Sequence, residues 1–315
     1  MTDLFHHISL FLKEAKASGE IPLIVVGGPT ASGKTRLSMS IAKAFEGEII
    51  SADSMQVYRK MNIGTDKIDV NSRQRVKHHL IDIRDPNQKF TMADFQREAQ
   101  RAITDISNRN KLPILAGGTG LYLSAVVDNY QLPSAPPNQK IRDELQRVYE
   151  EKGGEHLYNM LLELDPKSAA KIHPNNIRYV ARALEIVLQT DKPVESKQGK
   201  RLYDVFKLAI AWDREILYER INKRVDEMIE EGLINEIKSL ISEGYDEKSQ
   251  AMQGLGYKEY FPYLKGEATL EECVNLHKQR TRNFAKRQIG WFKKEEDIYW
   301  IQPEEFFAIT QSNAS

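Results

Sequence analysis

The chain has 315 residues, of which 41% are hydrophobic and 29% charged, and its 45 basic residues balance 45 acidic ones. This composition excludes a disordered polypeptide, and no apolar run approaches the ~20 residues that span a bilayer, which excludes a transmembrane helix. The balanced charge argues against a nucleic-acid binder with a wholly basic surface, and the acidic, amphipathic N-terminus is not a signal peptide, so we expect a cytoplasmic protein.

Three short apolar runs without polar alternation predict central strands of a parallel sheet that is covered on both faces. They are residues 21–26, 48–51 and 112–116. Between the second and third runs, apolar side chains recur at helical spacing over residues 91–110. Because strand, helix and strand follow one another, we predict a parallel sheet with right-handed crossovers.

The proline-rich stretch 132–138 predicts a linker, because proline continues neither a helix nor a central strand. The residues that follow are helical in pattern and lack strand runs. We therefore predict a helical insertion domain at 131–200 within a core formed by residues 1–130 and 201–315. The core resumes with a strand over 205–212 and ends in long helices.

The segment directly after the first strand matches the phosphate-binding pattern G-x-x-x-x-G-K-[ST] in the strand-to-helix context that this motif requires. The glycines allow backbone conformations that turn successive N–H groups towards the inside of the loop, and the following helix presents its positive N-terminus. Lys34 adds a positive charge, and the Thr35 hydroxyl can ligate Mg²⁺. We predict that this loop binds a di- or triphosphate through Gly28, Pro29, Thr30, Ala31, Ser32, Gly33, Lys34 and Thr35. The predicted fold class is α/β: a P-loop NTPase-like parallel sheet flanked by helices, with an α-helical insertion domain.

Beyond this loop, short segments stand in a distinctive order over about 260 residues. They are residues 50–58 (ISADSMQVY), 61–65 (MNIGT), 79–82 (HLID), 116–122 (AGGTGLY), 172–176 (IHPNN), 182–185 (RALE), 254–258 (GLGYK) and 285–288 (AKRQ). Together with the loop GPTASGKT they resemble the tRNA dimethylallyltransferase family over most of the chain. The resemblance implies a loop that holds dimethylallyl diphosphate with Mg²⁺, and transfer of the prenyl group to N6 of the adenosine 3′-adjacent to the anticodon. It also implies binding of the tRNA anticodon stem-loop, and we expect a monomer.

Asp53 follows the second strand, at the edge where ligands of open α/β sheets bind. From its position alone, Asp53 is equally well a general base, an N-cap or a carboxylate near Mg²⁺. The resemblance implies that Asp53 is the general base and that Asp53, Ser54, Met55 and Gln56 contact tRNA. Asp82 ends another apolar run and is either a magnesium ligand or part of a turn.

Arg224 lies beside the apolar stripe of a helix predicted over 216–229, so it can line a cleft. From sequence alone, an ion pair with Glu227 or Glu231 of the same helix is the more ordinary interpretation. The resemblance implies instead that Arg224 grips the diphosphate and stabilises charge on the leaving oxygen. It also places Thr119, after the third strand, near the acceptor nucleotide as a catalytic and tRNA-binding residue. From sequence alone, the Gly-Gly-Thr turn that ends at Thr119 is simply a tight helix start.

A basic helix is predicted after the capping box at 269–272, and residues 256–294 contain nine Lys or Arg against four Glu. Basic side chains bind phosphates and aromatic rings can stack on bases, but for Phe284 and Trp291 we favour a buried aromatic face. The predicted tRNA ligands of this helix are Lys278, Arg280, Arg282, Lys286 and Arg287. We expect the insertion to close over the anticodon stem, and its candidate tRNA ligands are Arg142, Arg178 and Arg182.

Three alternative functions share part of this pattern. An adenylate isopentenyltransferase would use free AMP, ADP or ATP as acceptor, but the long insertion and the basic helix favour tRNA. A P-loop small-molecule kinase would explain the loop and Asp53 but not the basic helix. A non-enzymatic RNA-binding protein has no need of the loop lysine and threonine.

Overall fold

The computed structural model describes residues 3–131, 135, 137–190 and 197–311. The chain divides into two compact units, Met1–Asp128 with Arg201–Ser315, and Asn129–Lys200. The insertion predicted over 131–200 thus begins two residues later than the observed unit. Most of the predicted linker, at positions 132–134 and 136, lies outside the described residues.

The strands are short, as runs of branched apolar residues between loops predict. In chain order they are β1 (Ile21–Gly27), β2 (Gly47–Ser51), β3 (His78–His79), β4 (Leu112–Gly117), β5 (Tyr130–Gln131), β6 (Lys197–Gln198), β7 (Tyr203–Ile210) and β8 (Ile298–Ile301). Six of them form one all-parallel sheet in the order β3-β2-β4-β1-β7-β8. This confirms the predicted parallel sheet. β7 is shifted by two residues from the strand predicted over 205–212.

Helices connect and cover the strands. They are α1 (Asp3–Ser18), α2 (Lys34–Ala44), α3 (Val70–Arg75), α4 (Met92–Asn108), α5 (Gly120–Val127), α6 (Gln139–Leu164), α7 (Pro166–Ala169), α8 (Ile177–Thr190), α9 (Arg214–Glu230), α10 (Leu233–Ser242), α11 (Phe261–Leu264), α12 (Leu270–Phe292) and α13 (Pro303–Gln311), with a 3₁₀ turn at Lys258–Tyr260. The predicted capping box is present at the start of α12, where Thr269 and Glu272 bond each other's backbone N–H groups. None of the helices in the described ranges is both long and apolar enough to cross a membrane.

The sheet is buried on both faces. Alternate residues of β1 point to opposite sides, so Leu23 and Val25 pack with α4 and α5, whereas Ile24 and Val26 pack with α1, α2 and α13. Burying each such side chain stabilises the fold by about 1.5–3 kcal/mol. The buried sheet therefore gives the loops at its edge a rigid support.

The smaller unit has a core of its own, formed by the facing sides of α6, α7 and α8. α6 is kinked at Gly153, whose φ of 81° suits glycine. β5 and β6, which enclose these helices in the chain, form a two-residue antiparallel pair that was not predicted, because pairs this short carry no periodic pattern.

The chain order of the sheet brings three loops to one edge. β1 lies between β4 and β7, and the register pairs Gly27 of β1 with Gly117 of β4 and Ser51 of β2 with Ala116 of β4. The loops after β1, β2 and β4 therefore leave the sheet side by side. Ligands of open α/β sheets bind in the crevice outside the carboxyl ends of the strands, where these loops lie.

Candidate active site

The loop after β1 has the backbone of a phosphate-binding loop. Gly28, Ala31 and Gly33 all have positive φ, and a Cβ at Gly33 would lie 2.6 Å from the Phe306 ring. Lys34 Nζ donates to the carbonyl of Pro29 at 2.6 Å, which folds its side chain over the loop. The first N–H groups of α2 have no acceptor within the helix, so they can bind an anion at its positive end.

Three side chains from distant parts of the chain hold this loop in shape, and none of these contacts was predicted from the sequence. Arg220 of α9 donates to the Ala31 carbonyl at 2.9 Å, and Trp212 Nε1 donates to the Ser32 carbonyl at 2.7 Å. The Arg220 guanidinium also lies over the Trp212 ring, 4.6 Å from its centroid. Gln288 of α12 accepts the Thr30 N–H at 2.9 Å.

A cavity of about 120 Å³ opens beside the loop and extends over β2 and β4. Its polar lining includes Lys34, Thr35, Ser51, Asp53, Gln56, Asp66, His78, Arg224 and Gln288. Its apolar lining includes Ile49, Ile68, Ala116 and Phe284. The cavity therefore has both charged and apolar side chains in its lining.

Asp53 lies within this cavity, at the end of β2 as predicted. Its Oδ1 accepts the N–H groups of Met55 at 2.8 Å and Gln56 at 3.3 Å, so the carboxylate closes a tight turn rather than capping a helix. Asp53 also lies close enough to Lys34 and Arg224 to favour their charged forms. The site thus brings the Asp53 carboxylate close to two cations, and Asp66 adds a second carboxylate to the cavity lining.

Burial lowers the pKa values of both Lys34 and Arg224. Desolvation, assisted by the charge of Arg224, lowers the pKa of Lys34 to about 7, against an opposing effect of Asp53. Desolvation lowers the pKa of Arg224 to about 10, again opposed by Asp53. An anion that enters the cavity would restore the charge on Lys34.

Arg224 forms an ion pair with Asp66 of the loop after β2, instead of the intrahelical pair with Glu227 or Glu231. Its Nε is buried and, within the described part of the chain, has no hydrogen-bond partner. The same is true of the Ser32 hydroxyl in the phosphate loop. Buried polar atoms are normally satisfied, and Arg224 lines the cavity, so its Nε suits a polyanion that would accept a hydrogen bond there.

The segment that carries Asp66 is held by Glu236 of α10. This carboxylate accepts the backbone N–H groups of Asn62 at 2.8 Å, Ile63 at 2.9 Å and Gly64 at 3.2 Å. The role of Glu236 was not predicted, because nothing in the sequence spacing links it to a loop more than 170 positions away. Glu236 therefore fixes the wall of the cavity that faces Arg224.

The other residues predicted at this edge of the sheet contribute less directly to the cavity. Gln56 lines the cavity, but its amide donates to the carbonyls of Thr65 and Asp66, each at 3.2 Å. Met55 packs against Gly254, and Ser54 is partly exposed. Thr119 precedes α5 without a side-chain capping bond, outside the residues that line the cavity, which include Gly117 and Gly118.

Asp82 is engaged by two cations, Lys67 at 2.7 Å and Arg73 at 2.6 Å, away from the cavity. Its φ of 57° belongs to a turn, so the structure favours the turn over the magnesium ligand. Across the described ranges, no cluster of three or more His, Cys, Asp or Glu residues could hold a metal. Thr35, the predicted metal ligand, lines the cavity and is exposed.

The basic helix α12 passes the cavity, but much of its charge is already paired. Lys278 pairs with Asp226 at 2.6 Å, Arg280 with Glu259 at 2.8 Å, and Arg282 donates to Asn222 at 2.6 Å. Lys286 and Arg287 of α12 are exposed and lie in sequence between two cavity-lining residues, Phe284 and Gln288. These two therefore offer the least hindered contacts to a phosphate backbone.

The buried aromatic face favoured for α12 is wrong for Phe284. This ring is only partly buried, lines the cavity and lies 5.7 Å from the guanidinium of Arg287. Helical spacing could not reveal this, because the neighbouring surface is supplied by β2 and β4. Trp291 packs against Gly120 instead.

In the smaller unit, two predicted tRNA ligands support the fold. Arg142 and Arg182 both bind Glu185, at 2.8 Å and 2.7 Å, and that carboxylate is 1% exposed. A buried carboxylate needs such partners. Arg178 is exposed. Of the three arginines, Arg178 is therefore the one whose side chain is most accessible to RNA.

Known proteins resemble this chain over most of its length. The family model for IPP transferase matches residues 56–295. A tRNA dimethylallyltransferase from Acetivibrio thermocellus is 47% identical over 289 residues, which cover 90% of this chain and 92% of that protein. The full-length tRNA isopentenylpyrophosphate transferase from Bacillus halodurans has a crystal structure with a TM-score of 0.69, 42% identity and coverage of 94% of this chain and 96% of that one. A eukaryotic dimethylallyltransferase acting on tRNA has a TM-score of 0.75, 34% identity and coverage of 89% and 73%.

Proposed function

The chain belongs to the IPP transferase family, and we propose that it transfers the dimethylallyl group of dimethylallyl diphosphate to N6 of the adenosine 3′-adjacent to the anticodon in tRNA. The observation that carries this proposal is the cavity in which Lys34, Arg224 and Asp53 converge. Two cations beside a phosphate loop can bind a diphosphate, and the Asp53 carboxylate can accept a proton. A kinase function leaves Phe284, Lys286 and Arg287 without a role.

The donor half of the reaction belongs to the phosphate loop and Arg224. The loop amides and Lys34 hold the diphosphate, while the Arg224 guanidinium donates to it from the opposite wall. When the bond between C1 and the bridging oxygen breaks, its electron pair passes to the diphosphate. A preorganised donor of this kind typically stabilises the transition state by about 2.7–4 kcal/mol.

The acceptor half belongs to Asp53 and the rim of the cavity. N6 of adenine forms the new bond to C1 and loses a proton, which Asp53 accepts through Oδ2, since Oδ1 already accepts two backbone N–H groups. Such an attack requires the base to leave its stack. The partly exposed ring of Phe284 offers a face on which the extruded base can rest.

Mg²⁺ fits this site as a partner of the diphosphate rather than of a protein cage. Thr35, which carries a hydroxyl, lines the cavity together with the Asp53 carboxylate. Magnesium in proteins commonly binds one or two such groups together with substrate phosphates. When bound, it would neutralise charge that develops on the leaving diphosphate. The cytoplasmic location and the monomeric state stay predictions.

The test measures transfer of radiolabel from dimethylallyl diphosphate to undermodified tRNA in the presence of Mg²⁺. Parallel reactions offer AMP or ATP as the acceptor instead of tRNA. We expect label in tRNA alone, on the adenosine after the anticodon. Label in free nucleotide would identify an adenylate isopentenyltransferase. Hydrolysis of ATP without label in any acceptor would return the protein to the kinases.

A further inference from the structure

One buried amide joins two loops that different strands bring to the cavity. Gln288 of α12 is 7% exposed. Its Oε1 accepts the N–H of Thr30 at 2.9 Å, and its Nε2 donates to the carbonyl of Gly118 at 2.8 Å. A glutamine side chain presents one acceptor group and one donor group in a single plane, and each of these groups makes one of the two contacts.

The two bonds continue the sheet where its own ladder stops. The register between β1 and β4 ends at Gly27 and Gly117, and Gln288 binds the loops just beyond that pair. The fit is close, because a Cβ at Gly118 would lie 2.2 Å from Gln288 Nε2 and 3.1 Å from the Gly28 carbonyl. The separation of the two loops is therefore set by the length of one side chain.

We propose that Gln288 is a positioning residue that holds the diphosphate loop and the Gly117–Gly118–Thr119 turn at the separation that prenyl transfer requires. This inference rests on the proposed function, which assigns the first loop to the donor. The second loop lines the same cavity through Gly117 and Gly118. A shift of about 1 Å between reacting groups commonly costs about 100-fold in rate, while each substrate can still bind its own half of the site.

Replacing Gln288 with Leu keeps the approximate volume and removes both bonds. We expect kcat to fall by about 100-fold, while KM for dimethylallyl diphosphate and KM for tRNA each change by less than about fivefold. The matched control is Gln279→Leu, which changes the same residue type at an exposed position of the same helix. Its kcat should stay within about twofold of the wild-type value, because it breaks no buried bond.

Gln288→Glu separates positioning from simple packing. When ionised, the introduced carboxylate would still accept from Thr30 but would oppose the Gly118 carbonyl with a second acceptor. When protonated, the introduced carboxyl group would present the same acceptor and donor as glutamine, and burial favours this protonated form. The ratio of the variant's kcat to the wild-type kcat should therefore rise as pH falls from 8 to 6.

The outcomes separate this inference from the function on which it rests. If wild-type protein transfers no label to tRNA, the proposed function fails, whatever the variants do. If wild type is active and Gln288→Leu keeps its kcat, or if Gln288→Glu shows no recovery at low pH, the positioning role is overturned. If Gln288→Leu does not fold, the pH profile of Gln288→Glu decides alone.

Discussion

Lys34 should make diphosphate binding depend on pH in the neutral range. Its pKa is lowered to about 7, mainly by desolvation and further by the charge of Arg224, while Asp53 opposes the shift. A bound diphosphate would bring negative charge next to the ammonium and raise its pKa again. Above pH 7 the free protein has therefore lost a proton that the complex must take up, so binding should weaken as pH rises.

The magnitude follows from the protonated fraction of Lys34. That fraction is about one half at pH 7, about one in eleven at pH 8 and about one in a hundred at pH 9. The Kd for the donor should therefore rise about fivefold from pH 7 to 8 and about tenfold from pH 8 to 9. Arg224, whose pKa is about 10, stays largely charged over this range and adds little to the slope.

The assay is calorimetric titration with dimethylallyl S-thiolodiphosphate, a donor analogue with a sulfur bridge, at pH 6 to 9. Repeating each titration in two buffers of different ionisation enthalpy counts the protons taken up. We expect about one proton per ligand at pH 8 and almost none at pH 6. Lys34→Met should bind more weakly and take up no proton at any pH. A wild-type Kd that is flat from pH 7 to 9, with no proton uptake, would refute the reasoning.

Asp53→Asn should lower kcat by about 100-fold or more in single-turnover label transfer, since it removes the proton acceptor; tRNA affinity by filter binding should survive, and unchanged turnover would exclude Asp53 as the base. Arg224→Lys keeps a charge but loses the planar fork, so kcat should fall by about 100- to 1,000-fold with the melting temperature preserved. An equal loss of rate and melting temperature would point to folding instead. Glu185→Gln leaves Arg142 and Arg182 without their buried partner and should lower the free energy of unfolding by about 3 kcal/mol in urea titrations. An unchanged unfolding curve would return both arginines to the set of free tRNA ligands.

Local pattern was sufficient to predict the sheet and the phosphate loop. The apolar run of β1 and the glycines that follow it lie within a few residues of one another. Their spacing alone therefore indicates a buried strand followed by a loop that can bind phosphate. The position of Asp53 in the cavity followed from the rule that loops of parallel strands share one edge. Its role as base, and that of Arg224, came only from the resemblance.

The contacts that shape the site could not be predicted in the same way. Arg220 lies 189 positions from Ala31, and Gln288 lies 258 positions from Thr30, so no periodicity connects them. Glu185 shows the same limit within the smaller unit, because its burial turned two predicted tRNA ligands into structural partners. Sequence spacing predicts which side chains share one face of a helix or strand. Which other residues pack against that face depends on the whole fold.

Two of the short segments that stood apart in the sequence prove to be the two sides of one contact. The last turns of α12 meet the ends of β1 and β4 at glycines: a Cβ at Gly27 would lie 2.3 Å from Phe292, and one at Gly120 would lie 2.3 Å from Trp291. Gln288 meets Gly118 in the same way. Larger residues at these positions would push the helix away from the sheet edge, because packed backbones cannot yield by so much. The glycines of 116–122 and the side chains at and just beyond 285–288 are therefore one structural requirement, and it is this contact that brings Phe284 to the cavity beside the phosphate loop.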